Sequence, residues 1–145
     1  MTELATPPRP PRREFRNINA FTDLTTYRLP PAGIVSILHR ISGAAMFLLL
    51  PFTIWMFDAS LTSEVSYEQF ASVFSAGAAG LPGWLWKLVA FALIWAYLLH
   101  FSAGLRHLWM DATHQVGLAF GRTSALVVIV LSTVVAFALG FKLFF

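Results

Sequence analysis

Leu88 to Asp111 reads LVAFALIWAYLLHFSAGLRHLWMD, and this stretch decides the fold. From Leu88 to Leu105 it carries aliphatic, aromatic and small side chains and no formal charge. A helix needs ~20 such residues to cross ~30 Å of hydrocarbon, and this run approaches that length. Yet His100 stands inside it. His100, Gly104, His107 and Asp111 recur at steps of four, three and four residues, which places them on one stripe of a helix. Ionisable side chains within a membrane span are rare and normally face a partner, a cofactor or water.

Two more runs of the same kind, Ile41 to Phe57 and Thr123 to Phe141, lie either side of it. The chain is therefore expected to be an all-α integral membrane protein with three transmembrane helices, at about residues 33–57, 82–111 and 122–143. Composition agrees. Hydrophobic residues make up 57% of the 145 and charged residues 12%, about half the ~25% charge of a soluble domain. The absence of cysteine excludes disulfides, thiol catalysis and iron–sulfur ligation by this chain. The net charge of +3 is no nucleic-acid signature, and no such partner is expected. Six of the ten basic residues fall between Arg9 and Arg40, where they act as a topology determinant.

Residues 1–20 hold four prolines and four arginines, which predicts a disordered tail on the cytoplasmic side of a bacterial membrane. Residues 21–145 form the three-span domain, with Tyr27 and Arg28 at headgroup level and Pro30-Pro31 before the first helix start. Pro51 is expected to kink the first span. The first loop, Asp58 to Gly83, has acidic residues and no Lys or Arg; Tyr67 to Ala76 reads as a short surface helix within it. The second loop, Ala112 to Gly121, is flanked by Arg106 and Arg122. This asymmetry puts the N-terminus in the cytoplasm of a multi-pass protein of the bacterial inner membrane. His39, Arg40, Arg106 and His107 then share the cytoplasmic end, with His100 roughly 10 Å deeper than His107 at 1.5 Å per residue.

Two readings of His100 compete. It is either polar glue to a neighbouring helix or an axial ligand of haem iron, with Gly104 leaving room for something flat against the helix. Two axial positions need two ligands, and no second histidine is obviously placed at equal depth in another span, so the opposite ligand would come from another chain. Haem propionates call for cationic or hydrogen-bonding partners at the membrane edge, which His39, Arg40, Arg106 and His107 supply. Ser36 and Arg40 are suitable donors to the carbonyl oxygens of a quinone, which become negative on reduction. The bland alternatives are a snorkelling Arg40, an Arg106–Asp111 ion pair, a solvated His114, belt tryptophans at Trp84, Trp86 and Trp109, and close helix packing at Gly43 and Gly104.

Two motifs together resemble one family. Ser36-Ile-Leu-His39-Arg40-Ile-Ser42-Gly43 is similar to the signature S-x-x-H-R-x-[ST]-G, and His100-Phe-Ser-Ala-Gly104-Leu-Arg106-His107-Leu-Trp-Met-Asp111 to H-x-x-x-G-[LI]-R-H-x-x-x-D. Both belong to the cytochrome b subunits of succinate dehydrogenase, the larger membrane anchor of respiratory complex II. The resemblance spans about Leu24 to Arg122. Ile18-Asn19 stand where many relatives carry an Arg-Pro pair, and Thr113 stands where a small residue is usual.

The resemblance implies one haem b shared with a small sister anchor and ligated axially by His100. It implies a haem environment that includes His39, Arg40, Gly104, Arg106 and His107. It also implies a ubiquinone site that includes Ser36 and Arg40 and takes electrons from an iron–sulfur subunit, itself served by a flavoprotein. The chain would then be a subunit of a succinate:quinone oxidoreductase that does not bind the dicarboxylate. Two rival readings remain: a fumarate-reductase-type anchor oxidising quinol, and a cofactor-free structural or transport subunit. The last predicts broken helices and acidic residues at mid-membrane, and neither is in the sequence.

Overall fold

The computed structural model describes Asn19, residues 21–23 and residues 26–144. The tail expected over residues 1–20 lies outside the described residues, Asn19 apart. Four helices follow in order: α1 (Pro31–Thr62), α2 (Glu64–Ser75), α3 (Gly83–Thr113) and α4 (Leu118–Phe144).

Local chemistry sets their ends. Pro30 is extended and Pro31 opens α1, where a fixed φ suits the first turn and the missing N–H costs nothing. The helix runs on through Pro51 to Thr62. Ser63 then breaks the chain direction and caps α2. The Ser66 N–H donates to Ser63 Oγ at 3.1 Å while the Ser63 N–H donates to Ser66 Oγ at 3.0 Å, a reciprocal capping box. After α2 the backbone turns at Gly77, whose φ of 97° favours glycine. Gly83 is buried against the Phe74 carbonyl, which sets the start of α3 on the end of α2. His114 ends α3 in the left-handed region, with φ 53°.

The three long helices pack antiparallel. Phe52 of α1 lies beside Trp86 at one end of α3, and His39 of α1 beside His100 and His107 at the other. Between α3 and α4, the Trp95 indole donates to Thr133 Oγ1 at 3.1 Å, and Phe91 packs against Phe137 and over Gly140. The contact core is small: Val35, Ala103, Ala125 and Val128, with Ala32 and Ile129 against it. Small residues at helix contacts are what membrane bundles use to bring backbones close. A Cβ at Gly140 would stand 2.6 Å from the Phe91 ring. We expect Gly140→Val to destabilise the α3–α4 pair by about 1–3 kcal/mol through overpacking, read as a lower thermal transition of the purified protein in detergent.

Large apolar side chains cover the outside instead. Phe47, Leu48, Phe57, Val134, Phe137 and Phe141 are each more than half exposed. Three helices, α1, α3 and α4, are long and apolar enough to cross a membrane, and their outward apolar surface has lipid as its natural solvent. All three outrun the expected spans. At 1.5 Å per residue a 32-residue helix is about 48 Å long, against ~30 Å of hydrocarbon. Hydropathy marks the lipid thickness, whereas hydrogen bonding carries each helix on into the headgroup region. The surface helix starts at Glu64, three residues earlier than Tyr67, because the capping box nucleates it there. The second loop shrinks to residues 114–117.

Candidate functional site

Antiparallel packing gathers one end of each span: the start of α1, the end of α3 and the start of α4. His39, Arg40, Ser36, Arg106, His107 and Ser124 all lie toward that end. The His39 ring stacks on His100, with centroids 4.1 Å apart and planes 21° from parallel, and tilts against His107 at 5.3 Å. His39 therefore bridges the two α3 histidines, at a depth between them. Gly104 allows this approach. A Cβ there would have His39 Nε2 at 3.9 Å as its nearest neighbour, so the space expected beside Gly104 holds the His39 imidazole.

His100 is half-buried and held by one atom. Its Nδ1 lies 3.0 Å from the His39 carbonyl oxygen and 3.2 Å from Ser42 Oγ. Ser42 Oγ itself donates to the same carbonyl at 3.0 Å. A carbonyl oxygen can only accept, so Nδ1 must carry the imidazole proton. In the neutral ring Nε2 is then the unprotonated nitrogen, with its lone pair free. Among the described residues no buried side-chain nitrogen or oxygen lacks a partner. His100 Nε2 makes no hydrogen bond, so it reaches the surface of the chain. Gly43 completes the seat: a Cβ there would come within 2.7 Å of His100 Cε1.

This donor set suits an axial ligand of haem iron. Metal-bound histidines almost always donate their other ring N–H to a carbonyl, carboxylate or water, which fixes tautomer and ring orientation. An apolar groove of about 600 Å³, lined by Met46, Leu50, Leu93 and Tyr97 with Leu139 of α4 among others, runs along the bundle, and His100 is not among its lining residues. No group of three or more His, Asp or Glu is disposed to hold a metal ion among the described residues, so this chain offers single imidazoles and no closed metal cage.

The remaining candidates divide. Arg40 is exposed and, among the described residues, has neither hydrogen bond nor ion pair. Ser36 lies one turn before it on α1. Arg106 turns the other way: its Nε donates to Ser124 Oγ at 2.8 Å and its Nη2 to the Gly121 carbonyl at 3.2 Å. One residue is about 100° of helix rotation, so a neighbour of His107 faces α4 instead of the imidazoles. The guanidinium clamps α3 to α4, and the alternative reading of Arg106 as the ion-pair partner of Asp111 is not the contact it makes. His114 is exposed, as expected. Ser42, given no separate role from sequence, is one of two buried polar residues among the described residues. The clue was that the position asks for Ser or Thr, although a mere spacer could be Ala or Gly.

Fold and site define an all-α, three-span membrane subunit with an imidazole cluster at one end of its helix bundle. Residues 12–139 match the succinate dehydrogenase/fumarate reductase transmembrane subunit family. The chain is 36% identical over 110 residues to the succinate dehydrogenase cytochrome b556 subunit of Coxiella burnetii, covering 76% of this chain and 83% of that one. It is 32% identical over 113 residues to the subunit of the same name from Paracoccus denitrificans, covering 78% and 82%. A cytochrome b560 subunit from Reclinomonas americana matches at 33% over 89 residues, 61% of this chain and 60% of that one. The chain belongs to the succinate dehydrogenase/fumarate reductase transmembrane subunit family, on its cytochrome b side.

Proposed function

We propose that this chain shares one haem b with a smaller sister anchor and forms part of the ubiquinone site of a succinate:quinone oxidoreductase. The observation that carries the reading is the state of His100: a buried Nδ1 bonded to a helix carbonyl and an unbonded Nε2 at the chain surface. His100 does join α3 to α1 through Nδ1, but that polar contact uses one ring nitrogen and leaves Nε2 unspent. Here the outward nitrogen is left for a group brought by another chain, and the names of the relatives make that group a haem b.

When bound there, haem supplies one-electron chemistry inside the bilayer. The Nδ1–H of His100 is held by the His39 carbonyl, which keeps the lone pair on Nε2 and fixes its direction. His39 and His107 offer ring nitrogens at the membrane edge, where propionates need partners, and Arg40 adds a cation. Arg106 acts on this site through α4, by fixing the end of α3. Ser36 and Arg40 donate hydrogen bonds to ubiquinone oxygens as these gain charge. The two soluble partners are the flavoprotein and the iron–sulfur subunit, on the cytoplasmic side of a bacterial inner membrane.

Colour tests the reading. Membranes containing this chain with its sister anchor and soluble subunits should give a reduced-minus-oxidised haem b spectrum at about one haem per complex, the stoichiometry of two single-histidine anchors. A complete but colourless complex would favour the purely structural anchor.

A further inference from the structure

We infer that Ser42 is the positioning residue of the haem site, acting on iron through His100; this rests on the haem reading above. Three atoms form a closed triangle: the His39 carbonyl oxygen, Ser42 Oγ and His100 Nδ1, with sides of 3.0, 3.0 and 3.2 Å. Their chemistry leaves one proton arrangement. The serine hydroxyl donates to the carbonyl, and the Nδ1–H is shared between that carbonyl and the serine oxygen. All three atoms lie where α1 crosses α3, with Ser42 only 5% exposed.

The carbonyl alone does not define the ring plane, since one acceptor leaves the imidazole free to swing about the contact. Ser42 adds a second acceptor beside the first, and Gly43 removes the Cβ that would occupy the space of Cε1. Adjacent residues of α1 thus hold one edge of the ring and make room for the next. A serine bonding back to its own helix normally gives a slight bend and little else. This one also reaches another helix and adds a second acceptor to the Nδ1–H edge of the ring. Hydrogen bonding at Nδ1–H increases the basicity of Nε2. Ser42 therefore strengthens the axial bond and favours ferric iron.

The test uses the whole complex, purified with its sister anchor and soluble subunits, in four forms: wild type, Ser42→Ala, Ser42→Thr and His100→Ala. Outer-shell partners of metal-bound histidines typically contribute about 10–100-fold in affinity. Ser42→Ala should therefore lower haem retention on dilution by about 10-fold, raise the midpoint potential of the haem that remains and alter its low-spin spectrum. Ser42→Thr keeps the hydroxyl and should restore all three. A serine that only packs would leave potential and spectrum unmoved. If Ser42→Ala matches wild type in retention, potential and spectrum while His100→Ala loses haem, Ser42 has no positioning role. If His100→Ala also keeps wild-type haem, the ligand assignment beneath it fails instead. Should the alanine form not assemble, Ser42→Val against Ser42→Thr compares the same shape with and without the hydroxyl, and equal potentials in that pair overturn the proposal.

Discussion

His100→Ala is expected to strip the complex of its haem. The substitution removes the only side chain of α3 whose free nitrogen is fixed by a bonded partner on the opposite edge of the ring. It also empties the space that Gly43 keeps open on α1. Affinity should fall by more than the roughly 10–100-fold typical of losing an outer-shell partner, because the ligand itself is gone. Haem per complex, measured as the pyridine adduct against protein, should drop to a small fraction of wild type. Any remnant, held by the sister anchor alone, should show a high-spin spectrum. Electron flow from succinate to a soluble dye through the two hydrophilic subunits should persist. An unchanged haem content with an unchanged spectrum would show that His100 is not the ligand.

The second large effect concerns Arg40. It is a cation on the first turns of a membrane helix, exposed and without a protein partner among the described residues. Snorkelling would satisfy it equally well, so its role has to be read from kinetics. Removing one preorganised donor from a site of developing negative charge typically costs about 10²–10³-fold in rate. Arg40→Leu should therefore lower ubiquinone reduction by about 10²-fold. Ser36→Ala removes a neutral hydrogen bond of about 1 kcal/mol and should cost about 5-fold. Both should leave succinate-to-dye activity near wild type, and Arg40→Lys should recover part of the loss. Equal loss in the two assays would mean failed assembly of the soluble subunits on the anchor and no direct part for either residue in quinone reduction.

The three spans were legible because charge-free runs near membrane length have few other uses. Their ends were not, since nothing in hydropathy stops a helix at the lipid boundary. The extra turns of α1 up to Thr62 end where Ser63 caps α2, and the early start of α4 at Leu118 follows backbone hydrogen bonding, with the Gly121 N–H on the Gly117 carbonyl. The surface helix was found, but its start was missed because a serine at both ends of the capping box does not look like the usual Ser-to-Glu pair. Of the helical stripe His100, Gly104, His107 and Asp111, the first three turn toward His39 of α1.

What periodicity could not supply was the register between helices. It left open what His39 and Arg106 touch. The crossing of α1 over α3 lays His39 on His100 and against His107, and the rotation of Arg106 by one residue sends its guanidinium to Ser124 and Gly121. Ser42 was hidden for the same reason. Its meaning lies in a contact 58 residues away along the chain.

The most direct measurement is an electron cryomicroscopy map of the assembled complex in lipid. The account predicts a porphyrin beside the α1–α3 crossing, its iron within bonding distance of His100 Nε2 and its opposite ligand supplied by the smaller anchor. A map in which that imidazole faces acyl chains, or touches a neighbouring helix with no porphyrin beside it, would contradict the account.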